Sequence, residues 1–262
     1  MIPKKIHYVW IGDKKKPKFV LDCIDTWKKF LPDYEIIEWN NESIKKISNN
    51  YMSEAILNKK WAFASDYIRL YALYNEGGIY LDTDVEITRN LDQFLSLSFF
   101  SCYEKSDEYY PITSAVMGSE KYSEITQDLL KKYENIHFET PNGLNLETNI
   151  IKITNYFQEK YNIQAPYDGS KKTYLAKNIV IFPSFFFCTP ELNQENFAIH
   201  HFNGSWLPSH SRKDKVNILN KIIITRLIKM KDSGDIPITS KEKILFSIPI
   251  RKNTKYVLII KK

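Results

Sequence analysis

The sequence predicts an α/β protein whose central sheet is mostly parallel and flanked by helices, and three observations predict it. The first is a strand, helix, strand succession at the N-terminus. Ile6 to Ile11 (IHYVWI) is rich in β-branched and aromatic residues and is stopped by Gly12-Asp13. Phe19 to Phe30 then carries Val20, Cys23, Ile24 and Trp27 at helical spacing, Pro32-Asp33 breaks it, and Tyr34 to Trp39 is strand-like again. Two strands joined through a helix run parallel and need covering on both faces. The second is an apolar helical stripe (Phe63, Tyr67, Ile68, Leu70, Tyr71, Leu73, Tyr74) ending at Gly77-Gly78, with Ile79-Tyr80-Leu81 following at once as a short buried strand. The third is size: 262 residues, 43% of them hydrophobic, suffice to bury the core of one domain with extensions.

The other elements follow in chain order. Ile44 to Lys60 has a helical pattern, Phe99 to Tyr103 and Ile112 to Met117 read as strands, and Tyr122 to Tyr133 as a helix. Pro141-Asn142-Gly143 is a turn, Leu146 to Tyr161 a helix, and Ile179 to Phe182 and Phe197 to Phe202 are strand-like. No internal repeat or low-complexity linker interrupts the chain, so we expect one domain over 1–211 and a basic extension over 212–262. Within that extension Lys215 to Lys231 is expected to be a helix, with Asn217, Lys221, Thr225 and Lys229 on one stripe and Leu219, Ile223, Leu227 and Met230 on another.

The net charge of +6 is unevenly spread. From Arg212 to Lys262 there are 14 Lys and Arg against 4 Asp and Glu, a surplus of +10 that leaves the rest of the chain at −4. A basic tail on an acidic body suits an anionic surface, either lipid headgroups or an acidic glycan, and equally suits a solvated lysine-rich face. Aromatic and basic residues are not interleaved as in a nucleic-acid-binding module, so no nucleic-acid partner is expected. Cys23, Cys102 and Cys188 are odd in number and lack C-x-x-C spacing, which indicates buried reduced thiols rather than disulfides or a zinc site. Met1-Ile2-Pro3-Lys4-Lys5 leads straight into a strand with no apolar signal region, and no uncharged apolar run approaches about 18 residues. The expected location is cytoplasmic, with any membrane contact peripheral, at the inner face of the cytoplasmic membrane and through the basic C-terminus.

The chemistry concentrates at Asp82-Thr83-Asp84. If the strand continues through them, period-two alternation projects Asp82 and Asp84 to one face, roughly 6.5 to 7 Å apart along the backbone. Carboxylates beyond the carboxyl end of a buried strand stand where α/β folds bind ligands. Their hard oxygens favour Mg²⁺ or Mn²⁺ over zinc. On the preceding helix Asp66 and Arg69 share a face three residues apart. They form either a salt bridge tying helix to sheet or a pair that holds a ligand's hydroxyls and phosphate. Trp10 is either a core residue or a ring on which a nucleobase stacks. In Ile199-His200-His201-Phe202-Asn203-Gly204-Ser205-Trp206, adjacent histidines on a strand face opposite ways, so one of them is expected to reach a metal.

Three segments together, IHYVWIG, ASDYIRLYALYNEGGIYLDTDV and HHFNGSW, resemble the DXD-containing sugar-binding glycosyltransferases over roughly residues 1–210. That group includes bacterial capsular and lipopolysaccharide transferases, the yeast initiating outer-chain mannosyltransferase and, more distantly, the clostridial glucosylating toxins. The resemblance implies a GT-A type nucleotide-diphosphosugar fold and retaining transfer of a hexose, from a UDP-sugar in the first instance, to a hydroxyl of a bacterial surface glycan or glycolipid. It implies that Trp10 stacks on the base, that Asp66 and Arg69 hold the donor sugar and that Tyr80 lines the donor pocket. Asp82 and Asp84 match the ribose and metal carboxylates. His201, five residues before Trp206, matches the last metal ligand and is preferred to His200, and Ser205 and Trp206 match a loop that closes on the phosphates. Pro141-Asn142-Gly143 departs from the Gly-Pro turn of many members, on the acceptor side. Two other readings stay open: a toxin-like effector glycosylating a protein, and a sugar-nucleotide binding module without turnover. A nucleotidyltransferase is disfavoured because no glycine-rich phosphate loop with a following lysine is present.

Overall fold

The computed structural model describes residues 1–104, 111–163 and 169–202 in full and, in the remaining chain, the backbone of four C-terminal strands. The chain divides into two compact units, Met1–His201 and Phe202–Lys262.

In the first unit the elements in order are β1 (Lys5–Val9), α1 (Lys18–Phe30), β2 (Glu35–Trp39), α2 (Asn50–Leu57), α3 (Trp61–Glu76), β3 (Gly78–Leu81), β4 (Val85–Ile87), β5 (Phe99–Cys102) and β6 (Val116–Ser119). They continue with α4 (Glu124–Lys131), the two-residue strands β7 (Glu139–Thr140) and β8 (Gly143–Leu144), α5 (Asn149–Tyr161), β9 (Thr173–Ala176), β10 (Ile179–Phe182), α6 (Ser184–Phe187) and β11 (Ala198–His200). Seven strands form the main sheet in the order β2-β1-β3-β6-β5-β10-β9. β1 lies parallel to β2 and β3, and β10 parallel to β5. β6 runs antiparallel between β3 and β5, and β9 antiparallel at the edge. This is the mostly parallel α/β architecture that the sequence predicts.

Alternation along β3 distributes the core. Ile79 and Leu81 join Val20, Ile24 and Trp27 of α1 with Phe94, Phe100 and Phe187 on one face. Tyr80 faces the other way, among residues of α2, α3, α4 and α5. Helices therefore cover both faces, as a buried parallel sheet requires. α3 ends at Gly77, whose φ of +64° lies in the region that glycine enters without steric cost, and where a Cβ would stand 2.7 Å from the Lys121 amide nitrogen. Beneath that turn His7 is fully buried, its Nε2 bonded to the Gly77 carbonyl at 2.8 Å and its Nδ1 accepting from Trp39 Nε1 at 3.2 Å. Burial lowers its pKa, in keeping with a neutral ring that donates from one nitrogen and accepts at the other.

One expected helix changes and one expected turn is kept. The single helix expected over 44–60 is a short 3₁₀ turn at Ser43–Lys46 followed by α2, because the Asn49 side chain caps a new helix by accepting from the Met52 amide at 2.9 Å. The turn at 141–143 closes the β7–β8 hairpin.

The second unit is a four-stranded antiparallel sheet, β12 (Asp214–Ile218), β13 (Lys221–Lys231), β14 (Glu242–Arg251) and β15 (Thr254–Lys261), in the order β12-β13-β15-β14. The helix expected over 215–231 is thus corrected to strand. The β-branched run Ile222-Ile223-Ile224-Thr225 is the chemistry of a pleated surface and is stiff at χ1 in a helix.

Candidate active site

β3 stops at Leu81, and Asp82-Thr83-Asp84 is a tight turn rather than a continued strand: the Val85 amide donates to the Asp82 carbonyl at 3.0 Å. The turn, not period-two alternation, brings the two acids together. From it β4 leaves to pair antiparallel with β11, placing His200 opposite Val85, and the His201 amide donates to the Asp84 carbonyl at 3.0 Å. This two-stranded ribbon carries His200 from 116 residues downstream onto the acids. One ligand atom from each of Asp82, Asp84 and His200 lies within 4.8 Å of the others. His200 Nε2 stands 3.5 Å from Asp84 Oδ1. Burial disfavours the imidazolium, yet Asp84 and Cys188 more than offset this and raise the His200 pKa well above its ordinary value.

A second network backs the first. Arg69 on α3 is buried, reaching Asp66 at 3.0 Å and Asp82 at 3.2 Å. Its Nη1 donates to the Ser114 carbonyl at 2.9 Å and to Ser114 Oγ at 2.8 Å, and its guanidinium lies 4.6 Å from the Tyr80 ring centroid. Tyr80 donates its hydroxyl to Asp82 Oδ1 at 2.9 Å, holding that carboxylate from below. Asp66 is pushed up to about 7 because burial outweighs the pull of Arg69. Burial also opposes the charge on Arg69, but Asp82, Tyr80 and Asp66 overcome it and raise its pKa. The pair is therefore more than a tie between helix and sheet, because the same guanidinium fixes one acid of the Asp82-Thr83-Asp84 turn.

Residues 17–100, which hold Asp66, Arg69, Tyr80, Asp82 and Asp84, match the family described as the glycosyltransferase sugar-binding region containing DXD motif. Over that segment the chain is similar to DXD glycosyltransferases. Among curated relatives, inositol phosphoceramide mannosyltransferase 3 of Schizosaccharomyces pombe is 30% identical over 148 residues, covering 52% of this chain and 40% of that protein. Uncharacterized glycosyltransferase L373 of Acanthamoeba polyphaga mimivirus is 32% identical over 130 residues, covering 45% and 50%. The chain spans half or less of the length of these relatives. Among solved structures, the PaToxG glycosyltransferase aligns with a TM-score of 0.47 at 22% identity, over 62% of this chain and 70% of that one.

Around the sugar-binding region the remaining candidates separate. Trp10 follows β1, and since His7 pairs with Tyr80 in parallel register, it stands at the same carboxyl edge of the sheet as the acids. Its ring is half-buried against the core and its Nε1 donates to the Lys14 carbonyl at 2.8 Å. Ser205 and Trp206 lie outside the described residues. His201 is directed elsewhere: its Nε2 meets Glu86 Oε2 at 3.0 Å and its ring packs edge-on to Phe19 at 5.2 Å. The geometry therefore moves the candidate ligand from His201 to His200. β11 ends at His200, whose pairing opposite Val85 of β4 sets its ring against Asp84, and His201 follows just past the strand.

Three further polar residues at this edge escape sequence reasoning. Ser114, just before β6, orients Arg69. Glu104, just past β5, has its carboxyl pushed up to about 7 by burial, with Cys188 adding to the rise. Cys188, just past α6, accepts a hydrogen bond from Cys102 that pulls its thiol down to about 6, with His200 helping, whereas burial raises Cys102. β5 pairs with β10, setting Phe182 opposite Cys102, and α6 then carries Cys188 back to Cys102 from 86 positions downstream, which no local pattern announces.

Proposed function

We propose that the protein is a divalent-metal-dependent, retaining glycosyltransferase that moves a hexose from a nucleotide-diphosphate sugar to a hydroxyl acceptor. The observation that carries the reading is the convergence of Asp82, Asp84 and His200 within 4.8 Å, beside the buried Arg69–Asp66 pair, at the carboxyl edge of a DXD sugar-binding region. Two carboxylates and one imidazole form a donor set that fits Mn²⁺ or Mg²⁺. Bound there, such a cation supplies charge neutralisation for the departing diphosphate.

The chain's own residues do the rest. Tyr80 and Arg69 hold Asp82 in place, so that little reorganisation is needed as the glycosidic bond breaks. Asp66, poised near neutrality, accepts or donates to the hydroxyls of the donor sugar, and Arg69 keeps its carboxyl oriented. Trp10 offers an aromatic face to the nucleobase, with UDP the expected nucleotide. With retention, the acceptor hydroxyl approaches on the face the diphosphate leaves, and a phosphate oxygen takes its proton, so that no separate side-chain base is required.

The acceptor we favour is a bacterial surface glycan, capsule or lipopolysaccharide, or a glycolipid. A related protein named as acting on inositol phosphoceramide supports the lipid-linked alternative. The surplus of 14 basic over 4 acidic residues beyond Arg212 supports peripheral contact with anionic headgroups at the cytoplasmic face of the membrane. No helix among the described residues is long and apolar enough to span one. The test is donor hydrolysis and transfer with and without chelator. We expect turnover that chelation stops, and that Asp84→Ala lowers by at least about a hundredfold. Full activity of Asp84→Ala would overturn the reading.

A further inference from the structure

We propose that Glu104, Cys188 and His200 form a second metal site, selective for a borderline or soft cation such as Zn²⁺, which shares His200 with the Asp82–Asp84 cluster. One ligand atom from each of the three lies within 4.8 Å of the others, the same closeness that Asp82, Asp84 and His200 reach. The donor sets differ in kind. Oxygen, sulfur and nitrogen together are what a borderline cation takes with three protein ligands and an open fourth position, whereas two carboxylates and an imidazole suit harder Mn²⁺. Cys188 is fully buried, while Glu104 and His200 are partly exposed.

The site is also supported from behind. The Cys102 thiol and the His200 ring both neighbour the Cys188 sulfur closely enough to draw its thiol pKa down. Backing of ligands by a shell of hydrogen bonds is typical of sites that hold metals well. The backbone keeps the pair together, because the His200 amide donates to the Cys188 carbonyl at 2.9 Å. Cys188 is not in a disulfide, so its sulfur is available as a ligand.

A single imidazole lies between the two clusters, so occupation of the sulfur-containing set withholds His200 from Asp82 and Asp84. Zinc is then an inhibitor competing with Mn²⁺ for one side chain. This consequence, though not the binding itself, rests on the donor-site reading above.

Cobalt titration of the full chain, kept reduced with a phosphine, tests it. A cobalt–thiolate contact gives a near-ultraviolet charge-transfer band that oxygen and nitrogen ligands do not. We expect the band to saturate at one equivalent, to be bleached by Zn²⁺, to vanish in Cys188→Ser and to persist in Cys23→Ser and Asp84→Ala. Glu104→Gln should weaken cobalt affinity by tenfold or more, an arm that remains informative if Cys188→Ser fails to fold. No band in the unsubstituted protein, or a band undiminished in Cys188→Ser, overturns the proposal. Mn²⁺ binding followed by paramagnetic resonance separates the two readings: its loss in Asp84→Ala with the cobalt band intact supports two sites sharing one histidine. Absence of Mn²⁺ binding in the unsubstituted protein counts against the donor-site reading alone.

Discussion

Replacing Arg69 by Met keeps the length of the buried stem and removes the charge. The guanidinium it deletes serves the Ser114 carbonyl and hydroxyl at 2.9 and 2.8 Å, Ser65 Oγ at 3.1 Å, and the carboxylates of Asp66 and Asp82 at 3.0 and 3.2 Å. Only 5% of the arginine side chain and 12% of that of Asp66 are exposed, so water cannot replace what is lost. Removing one partner of a buried ion pair costs about 3–5 kcal/mol, a large share of the roughly 5–15 kcal/mol of a typical domain. Because Arg69 pulls the Asp66 carboxyl down against burial, the substitution drives its pKa further above about 7. A carboxyl raised in the folded state contributes fully below its unfolded value near 3.8 and loses that contribution as pH rises through the folded value. The cost of Arg69→Met should therefore be smallest near pH 4 and largest near pH 8. Urea unfolding followed by tryptophan fluorescence measures it, and the double variant Asp66→Asn/Arg69→Met, which leaves no buried carboxylate at position 66, should recover about 1–3 kcal/mol at the higher pH. A cost below about 1 kcal/mol, or one that is pH-independent and unrelieved in the double variant, would refute this account of the network.

Two further outcomes follow from placements that sequence alone left open. His200→Ala should weaken Mn²⁺ binding by tenfold or more, as judged against the losses seen even for supporting residues, while His201→Ala, whose ring sits on Glu86 and Phe19, leaves it nearly unchanged; calorimetric titration separates them. Gly118→Ala should destabilise by about 1–3 kcal/mol, because its Cβ would stand 2.0 Å from Phe100 Cε1 in the packed core. Combining it with Phe100→Leu should return part of the loss in urea midpoint.

What was legible in the sequence is what short-range pattern encodes. β1, α1, β2 and the α3–β3 passage announce themselves through helical stripes, breakers and the Gly77-Gly78 stop. The acids were legible as a pair, but their closeness comes from a turn that the alternation argument overlooked. β4, three residues long, is too short to carry a period, and it pairs with a strand more than 110 positions away. That pairing decides between His200 and His201, and no spacing rule within HHFNGSW substitutes for it. Cys102 with Cys188, and Arg69 with Ser114, are likewise products of the tertiary fold. In the C-terminal unit the error was one of period, since a run of isoleucines satisfies a loose helical stripe and a strand alike, and β-branching tips it to strand.

The most direct test of the central claim, a nucleotide-sugar site completed by Asp82, Asp84 and His200, is a thermal-shift panel of nucleotide sugars in the presence of Mn²⁺. At about a hundredfold excess over Kd a ligand that binds only the folded state adds roughly 2.7 kcal/mol, or roughly 5 to 10 °C in Tm for a chain of this size. The account predicts such a rise for at least one donor, dependent on Mn²⁺ and abolished in Asp84→Ala. No rise across the panel, or an equal rise in Asp84→Ala, would contradict it.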